Sequence, residues 1–308
     1  MTNEIEVIQE QERRPRSDLR MKVDSYFQCQ RNRIAAENRA RAYAQGADEG
    51  ANDAVASDQI VECMRLAEQV AMRRVEAALQ DHPCMNWAMG VPGMNRATIG
   101  RLVGLIDDPT QFARFSNLRS HAGLCHLTNK LKKGEKAKFS MRLKTSIFVA
   151  WECMLKQHNA KCASPPEKRY TDIYYNWREI YKVRFGAGDV KKKTNGKDEH
   201  GNAYTATDEI AKEWPDRRQQ YAAKNKMMDV FLYHLYEEWL TNLGLPVPGL
   251  YVHDVLGHHM KYDRKEFSNS EFAAKKIKKL SSHKSLDRDI EEMKLETVGP
   301  TGKVPVVV

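Results

Sequence analysis

Long apolar runs are missing from this 308-residue chain. No stretch approaches the length that a bilayer-crossing helix needs, and the opening MTNEIEVIQEQERRPRSDLR has no apolar secretory segment. The expectation is a cytoplasmic protein with no membrane partner. Cysteine is sparse and scattered. Cys29, Cys63, Cys84, Cys125, Cys153 and Cys162 form no C-x-x-C pair and have no histidines at matching spacing, which argues against a structural zinc site and for reduced thiols. Aromatic residues are also few, at 8%, against 30% charged residues and a mean hydropathy of −0.67, a balance that predicts a surface-rich helical protein. Acidic residues are outnumbered: the net charge of +9 favours a polyanionic partner.

The periodicity that is present is helical, and it predicts an all-α fold. Residues 1–16 read as a disordered N-terminus and 17–82 as a helical arm. Leu19, Val23, Tyr26 and Ile34 make a loose apolar stripe, and Ile60, Met64, Ala67, Ala71, Val75 and Ala78 a tighter one. Stripes this narrow suit a coiled-coil hairpin, either as a homodimer contact or packed on the chain's own body. Residues 83–160 read as a helix-hairpin-helix domain. Residues 161–262 read as an aromatic-rich helical region in which Tyr170, Tyr174, Tyr175, Trp177, Tyr181 and Phe185 pack into a core, with stacking on exposed bases as the alternative. The stretch 186–207 is an aperiodic, flexible insertion. A strong helix spans about 224–243, with Met228, Phe231, Leu232, Leu235 and Trp239 inward and Gly244 ending it. Residues 263–308 read as a mostly disordered basic tail. His253, Asp254, His258 and His259 lie outside any standard metal-ligand spacing, so neither a metal nor another cofactor is expected.

Two features point to nucleic acid. In WAMGVPGMNRATIGRLVGLID, Ile99, Leu102, Val103 and Ile106 fall on one helical face behind the turn Val91-Pro92-Gly93-Met94-Asn95. This is the hydrophobic-x-Gly-hydrophobic-Gly pattern of a helix-hairpin-helix, with Asn95, a residue type that readily enters the left-handed region, at the second glycine position. Backbone N–H groups of such a turn and of the next helix N-terminus can face a phosphate, making Val91, Gly93, Met94, Asn95 and Arg96 candidate contacts. An ordinary helical corner is the alternative. The second feature is a cation cluster: Lys130, Lys132, Lys133, Lys136, Lys138, Arg142 and Lys144 stand against Glu135 alone. Between the two, Ser116 reads as the N-cap and Gly123 as the C-cap of a short helix.

Together, GVPGMNRATIGRLVGLIDDPTQFARFSNLRSHAGL resembles the C-terminal domain of insertion-sequence one-ten family transposases. Pro92, Gly93, Ile106, Asp107, Phe115, Ser116, Leu118, Ala122, Gly123 and Leu124 carry the match, which runs from about residue 57 to 155. The resemblance implies DNA transposition and recombination, and a guide RNA in the family makes RNA a second partner alongside DNA. The family's RNase-H-like domain is expected to be missing. Its nucleophilic serine is replaced by the stretch Thr128-Asn129-Lys130-Leu131-Lys132, leaving Thr128 or Ser140 as catalytic candidates. The expectation is therefore a DNA binder without catalysis of its own. The alternatives are a strand transferase using Thr128 or Ser140, with magnesium and partner-supplied groups, and a structural dimer that binds RNA.

Overall fold

The computed structural model describes residues 17–45, 54–125, 136–159, 166–185, 194–197, 203–206, 216–249 and 262–281. Among these the chain is predominantly helical, all-α in class. In order come α1 (Asp18–Ala44), α2 (Ala54–Ala78), α3 (Met85–Met89), α4 (Arg96–Ile106), α5 (Phe115–His121), α6 (Met141–Lys156), α7 (Tyr170–Phe185), α8 (Asp216–Asn242) and α9 (Ser270–Ser281). Short 3-10 turns occupy Pro109–Gln111 and Arg264–Phe267. Within the stretch read as aperiodic, β1 (Thr194–Lys197) and β2 (Ala203–Ala206) pair antiparallel, with Thr194 opposite Ala206. Strands of this length are too short to leave a readable alternation.

α4 is the axis of the fold. Beyond the predicted face of Ile99, Leu102, Val103 and Ile106, it also buries Gly100, Gly104 and Leu105, so it is enclosed on almost every side. The two glycines sit i,i+4 in one stripe and receive the arm. A Cβ on Gly100 would lie 2.6 Å from Val75 Cγ1 of α2, and one on Gly104 would lie 2.6 Å from Val23 Cγ2 of α1. The arm itself is an antiparallel pair: Gln30 Nε2 donates to Glu68 (3.2 Å), Arg33 pairs with Glu68, and Arg65 meets Glu37 (3.2 Å). Its proximal half thus packs on the chain's own body, while Ile60 at its far end is 53% exposed.

Polar latches hold the same joint. Arg20 Nη1 donates to the Leu105 carbonyl at the end of α4 (2.9 Å), and the backbone N–H and hydroxyl of Ser17, the N-cap of α1, both donate to the Asp107 carboxylate. Asp107 has φ 70° and ψ −63°, and Asp108 N donates to Ile106 O (2.9 Å), the geometry of a γ-turn that a non-glycine residue rarely adopts. Clamping that carboxylate helps to hold the turn.

Helix ends follow the expected chemistry at Gly123 and Gly244. Both have φ 70°, and Leu124 N donates to Arg119 O (3.1 Å) as Leu245 N does to Leu240 O (2.9 Å), two Schellman motifs. Three boundaries differ from expectation. α5 starts at Phe115 behind Arg114, so Ser116 lies in the first turn rather than capping it. α8 starts at Asp216, two turns before the apolar stripe becomes legible. Residues 264–281, part of the stretch read as disordered, form a 3-10 turn and α9. Asn269 caps α9 by accepting from Phe272 N (2.9 Å), and Phe267 and Ala273 are buried in the core. Tyr170, Tyr174 and Tyr181 of α7 enter the core as predicted and Trp177 and Phe185 pack against it, but Tyr175, on a different side of the helix, is 40% exposed.

The glycine stripe generates a quantitative expectation. Gly104→Ala should destabilise the chain by about 1–3 kcal/mol through overpacking, less the helix-propensity gain of alanine. In Gly104→Ala/Val23→Ala the two losses should be less than additive by urea denaturation, because the double variant removes the clash. Strict additivity would show that α1 does not rest on this glycine.

Candidate nucleic-acid interface

The Pro-Gly turn connects α3 to α4 by close packing inside the chain. Gly93 has φ 89°, as the pattern requires, but the backbone it approaches is that of α6: an added Cβ would stand 2.6 Å from the Cys153 carbonyl oxygen and from Met154 Cα. Val91 is 0% and Met94 2% exposed, so their side chains present no surface to a ligand. From the other side the C-terminal segment covers the turn. Lys276 Nζ of α9 donates to the carbonyls of Met89 and Met94 (both 3.1 Å), Ser268 Oγ to Trp87 O (2.6 Å), and Asn269 N to Gly90 O (3.2 Å).

Asn95 plays a different part from the one its glycine-equivalent position suggests. Its backbone is extended (φ −137°, ψ 167°), and its side chain caps α4 by accepting from Thr98 N (2.8 Å). An N-cap needs a short acceptor with extended backbone, which asparagine supplies and glycine cannot match. Arg96 follows, with its Nε buried and without a hydrogen-bond partner among the described residues. Beside it, burial pushes the Glu76 carboxyl up, while the charges of Arg96 and Arg73 pull it back.

The cation cluster divides in two. Thr128, Lys130, Lys132 and Lys133 lie outside the described residues. Lys136 and Lys138 are exposed and have no carboxylate partner among the described residues. Arg142 is already paired, 2.7 Å from Asp24 of α1 with its guanidinium 5.5 Å from the Phe27 ring centroid. Lys144 lies 4.7 Å from the Phe139 ring centroid, and burial lowers its pKa. Sequence spacing alone could not separate these roles, because a partner such as Asp24 is remote in sequence.

Ser140, a nucleophile candidate, is the N-cap of α6. Its Oγ accepts from Leu143 N (3.2 Å) and its N–H donates to His121 O (2.8 Å), and no imidazole or carboxylate among the described residues hydrogen-bonds to the hydroxyl. Ser140→Ala should cost about 1 kcal/mol and Ser140→Asp should restore most of it, measured by thermal denaturation. A loss that aspartate fails to rescue would count against the capping role. Among the described residues no group of three or more His, Cys, Asp or Glu could hold a metal ion, and the His253–His259 set lies outside them.

Buried His234 and half-buried His82 and His121 are held towards the neutral form by their surroundings. In His234, Tyr170 OH donates to Nδ1 (2.6 Å) and Nε2–H donates to Tyr262 O (3.0 Å), the one tautomer that satisfies both bonds. Burial pushes His82, His121 and His234 each down to about 4, with the Arg20 charge adding to the effect at His121. Below its ordinary value of 6.5 each ring takes up a proton when unfolded but resists it when folded, so its contribution is complete above pH 6.5 and lost as pH falls towards 4. Each ring is worth on the order of 1–3 kcal/mol across that window, with Glu76 offsetting part. Urea midpoints should therefore fall steadily from pH 7 to pH 4. A flat profile would mean that the rings are already charged in the fold.

Comparison of the chain with protein-family models, with curated proteins and with solved structures finds no match. No helix among the described residues is long and apolar enough to cross a membrane.

Proposed function

We propose that this chain is a DNA-binding protein of the mobile-element, transposase-like type, which grips phosphates through the lysine-rich stretch ahead of α6. The observation that carries the reading is the local charge. Seven cations lie between residues 130 and 144 against Glu135, and Lys136 and Lys138 are exposed without a carboxylate partner among the described residues. The stretch leads into the N-terminus of α6, where the helix dipole adds positive potential. The resemblance of residues 57–155 to insertion-sequence one-ten transposases supports the choice of DNA and of transposition.

Within this reading the Pro92-Gly93 turn acts as a joint. Its buried side chains and its contact with α6 support a structural role for Val91, Gly93 and Met94, with Asn95 and Arg96 as the turn's nearest surface groups. Ser140, engaged as a cap, supports a structural rather than a nucleophilic role for that hydroxyl. The arm's exposed end leaves a surface for homodimer formation.

Fluorescence anisotropy with a labelled duplex over a salt series tests the proposal. Log affinity should fall steeply with log salt, and Lys136→Ala/Lys138→Ala should reduce the slope by about one unit for each lysine that contacts a phosphate. An unchanged slope in the double variant would reduce the patch to a solvated surface.

A further inference from the structure

Where α6 passes the first turns of α8, rings and cations alternate in one continuous strip. Lys144 Nζ lies 4.7 Å from the Phe139 centroid and 5.9 Å from that of Phe148. Phe148 packs against Trp151 at 4.4 Å, and Tyr221 of α8 meets both edge-to-face, at 5.7 Å and 5.4 Å. Lys224 Nζ stands 4.6 Å from the Trp151 centroid and is paired with Glu152 at 2.8 Å. Trp151 is buried and forms the floor, whereas Tyr221 is 41% exposed. The end of the strip at Phe139 adjoins the exposed Lys136 and Lys138.

A core has no use for this pattern. Tyr221 buries only part of its ring, and Lys144 is held partly out of water with no carboxylate partner among the described residues. Exposed π-surface beside uncompensated cations is complementary to a ligand that alternates flat rings with negative charges. A duplex offers only its phosphates, since its base faces are hidden in the stack. An apolar peptide would leave the lysines without counter-charge.

We infer that the strip from Phe139 to Tyr221 holds a short single-stranded segment of polynucleotide, a base stacking on Tyr221 while Lys144, Lys136 and Lys138 neutralise the adjoining phosphates. From Lys144 to Glu152 the helix rises about 12 Å, a length that matches a short segment of strand. The inference rests on the nucleic-acid reading above and deepens it: duplex is held by charge alone, and an unpaired strand by charge and stacking together.

The test uses the full chain, a labelled oligo-dT, an oligo-rU of the same length and a labelled duplex, with anisotropy read at one salt concentration. Tyr221→Leu keeps apolar bulk and removes the π-face, and Tyr221→Phe keeps the ring. Tyr221→Leu should weaken oligo-dT binding about tenfold and leave the duplex unchanged, with Tyr221→Phe near wild type. Circular dichroism and a melting curve establish that each variant folds, and Phe148→Leu provides a second lesion on the strip. Dependence on Tyr221 for either sugar type upholds the strip and shows which strand it accepts. Equal losses on single strand and duplex, or none on either, overturn it while the duplex salt slope still stands. A wild-type chain that binds no probe overturns the nucleic-acid reading itself.

Discussion

Enclosure of α4 is the constraint on which the other helices depend. An eleven-residue helix buried on nearly every side can have four neighbours only if some of its own positions lack side chains. Gly100 and Gly104 create that room for α2 and α1, and Gly93 just ahead of the helix creates it for the backbone of α6. Close approach raises the dispersion energy of each contact and leaves no space for adjustment, so three glycines within one short segment set the directions of three helices.

Burying a helix and its connections also buries polar backbone, and the chain answers with side chains from far along the sequence. The end of α4 is met by Arg20, the carbonyls on either side of the Pro-Gly turn by Lys276, and Trp87 O by Ser268. Arg264 makes ion pairs with Glu237 (3.1 Å) and Glu238 (2.8 Å), tying the segment that precedes α9 to α8. Several of these cations would count as surface charge in a composition. Inside the fold they are structural, whereas Lys136 and Lys138 ahead of α6 stay exposed.

Division of labour follows from that sorting. The joint between α3 and α4 has the φ of a phosphate-gripping hairpin, yet its close approach is satisfied internally. The proposed ligand therefore meets the molecule elsewhere, on the exposed lysines ahead of α6 and on Tyr221, which is 41% exposed. Arg142 and Lys144, adjacent in the same cation-rich run, show how finely the split is made: one has Asp24 within 2.7 Å, the other has aromatic faces.

Local chemistry was legible from the sequence alone. Helical class, the apolar face of α4, the left-handed glycine ends of α5 and α8, and the inward placing of Tyr170, Tyr174 and Tyr181 follow from periodicity and from backbone sterics that act within a few residues, whereas the exposure of Tyr175 does not. Tertiary structure decided everything that depends on a distant partner. That Asn95 caps a helix, that Gly93 faces α6, that α9 is ordered by Phe267 and Ala273, and that Tyr221 lies beside Phe148 are matters of which surfaces come together. A sequence pattern reports the preference of a residue for burial or for a backbone angle. It carries no record of which element supplies the other half of the contact, because that is set by the packing of the whole chain at once.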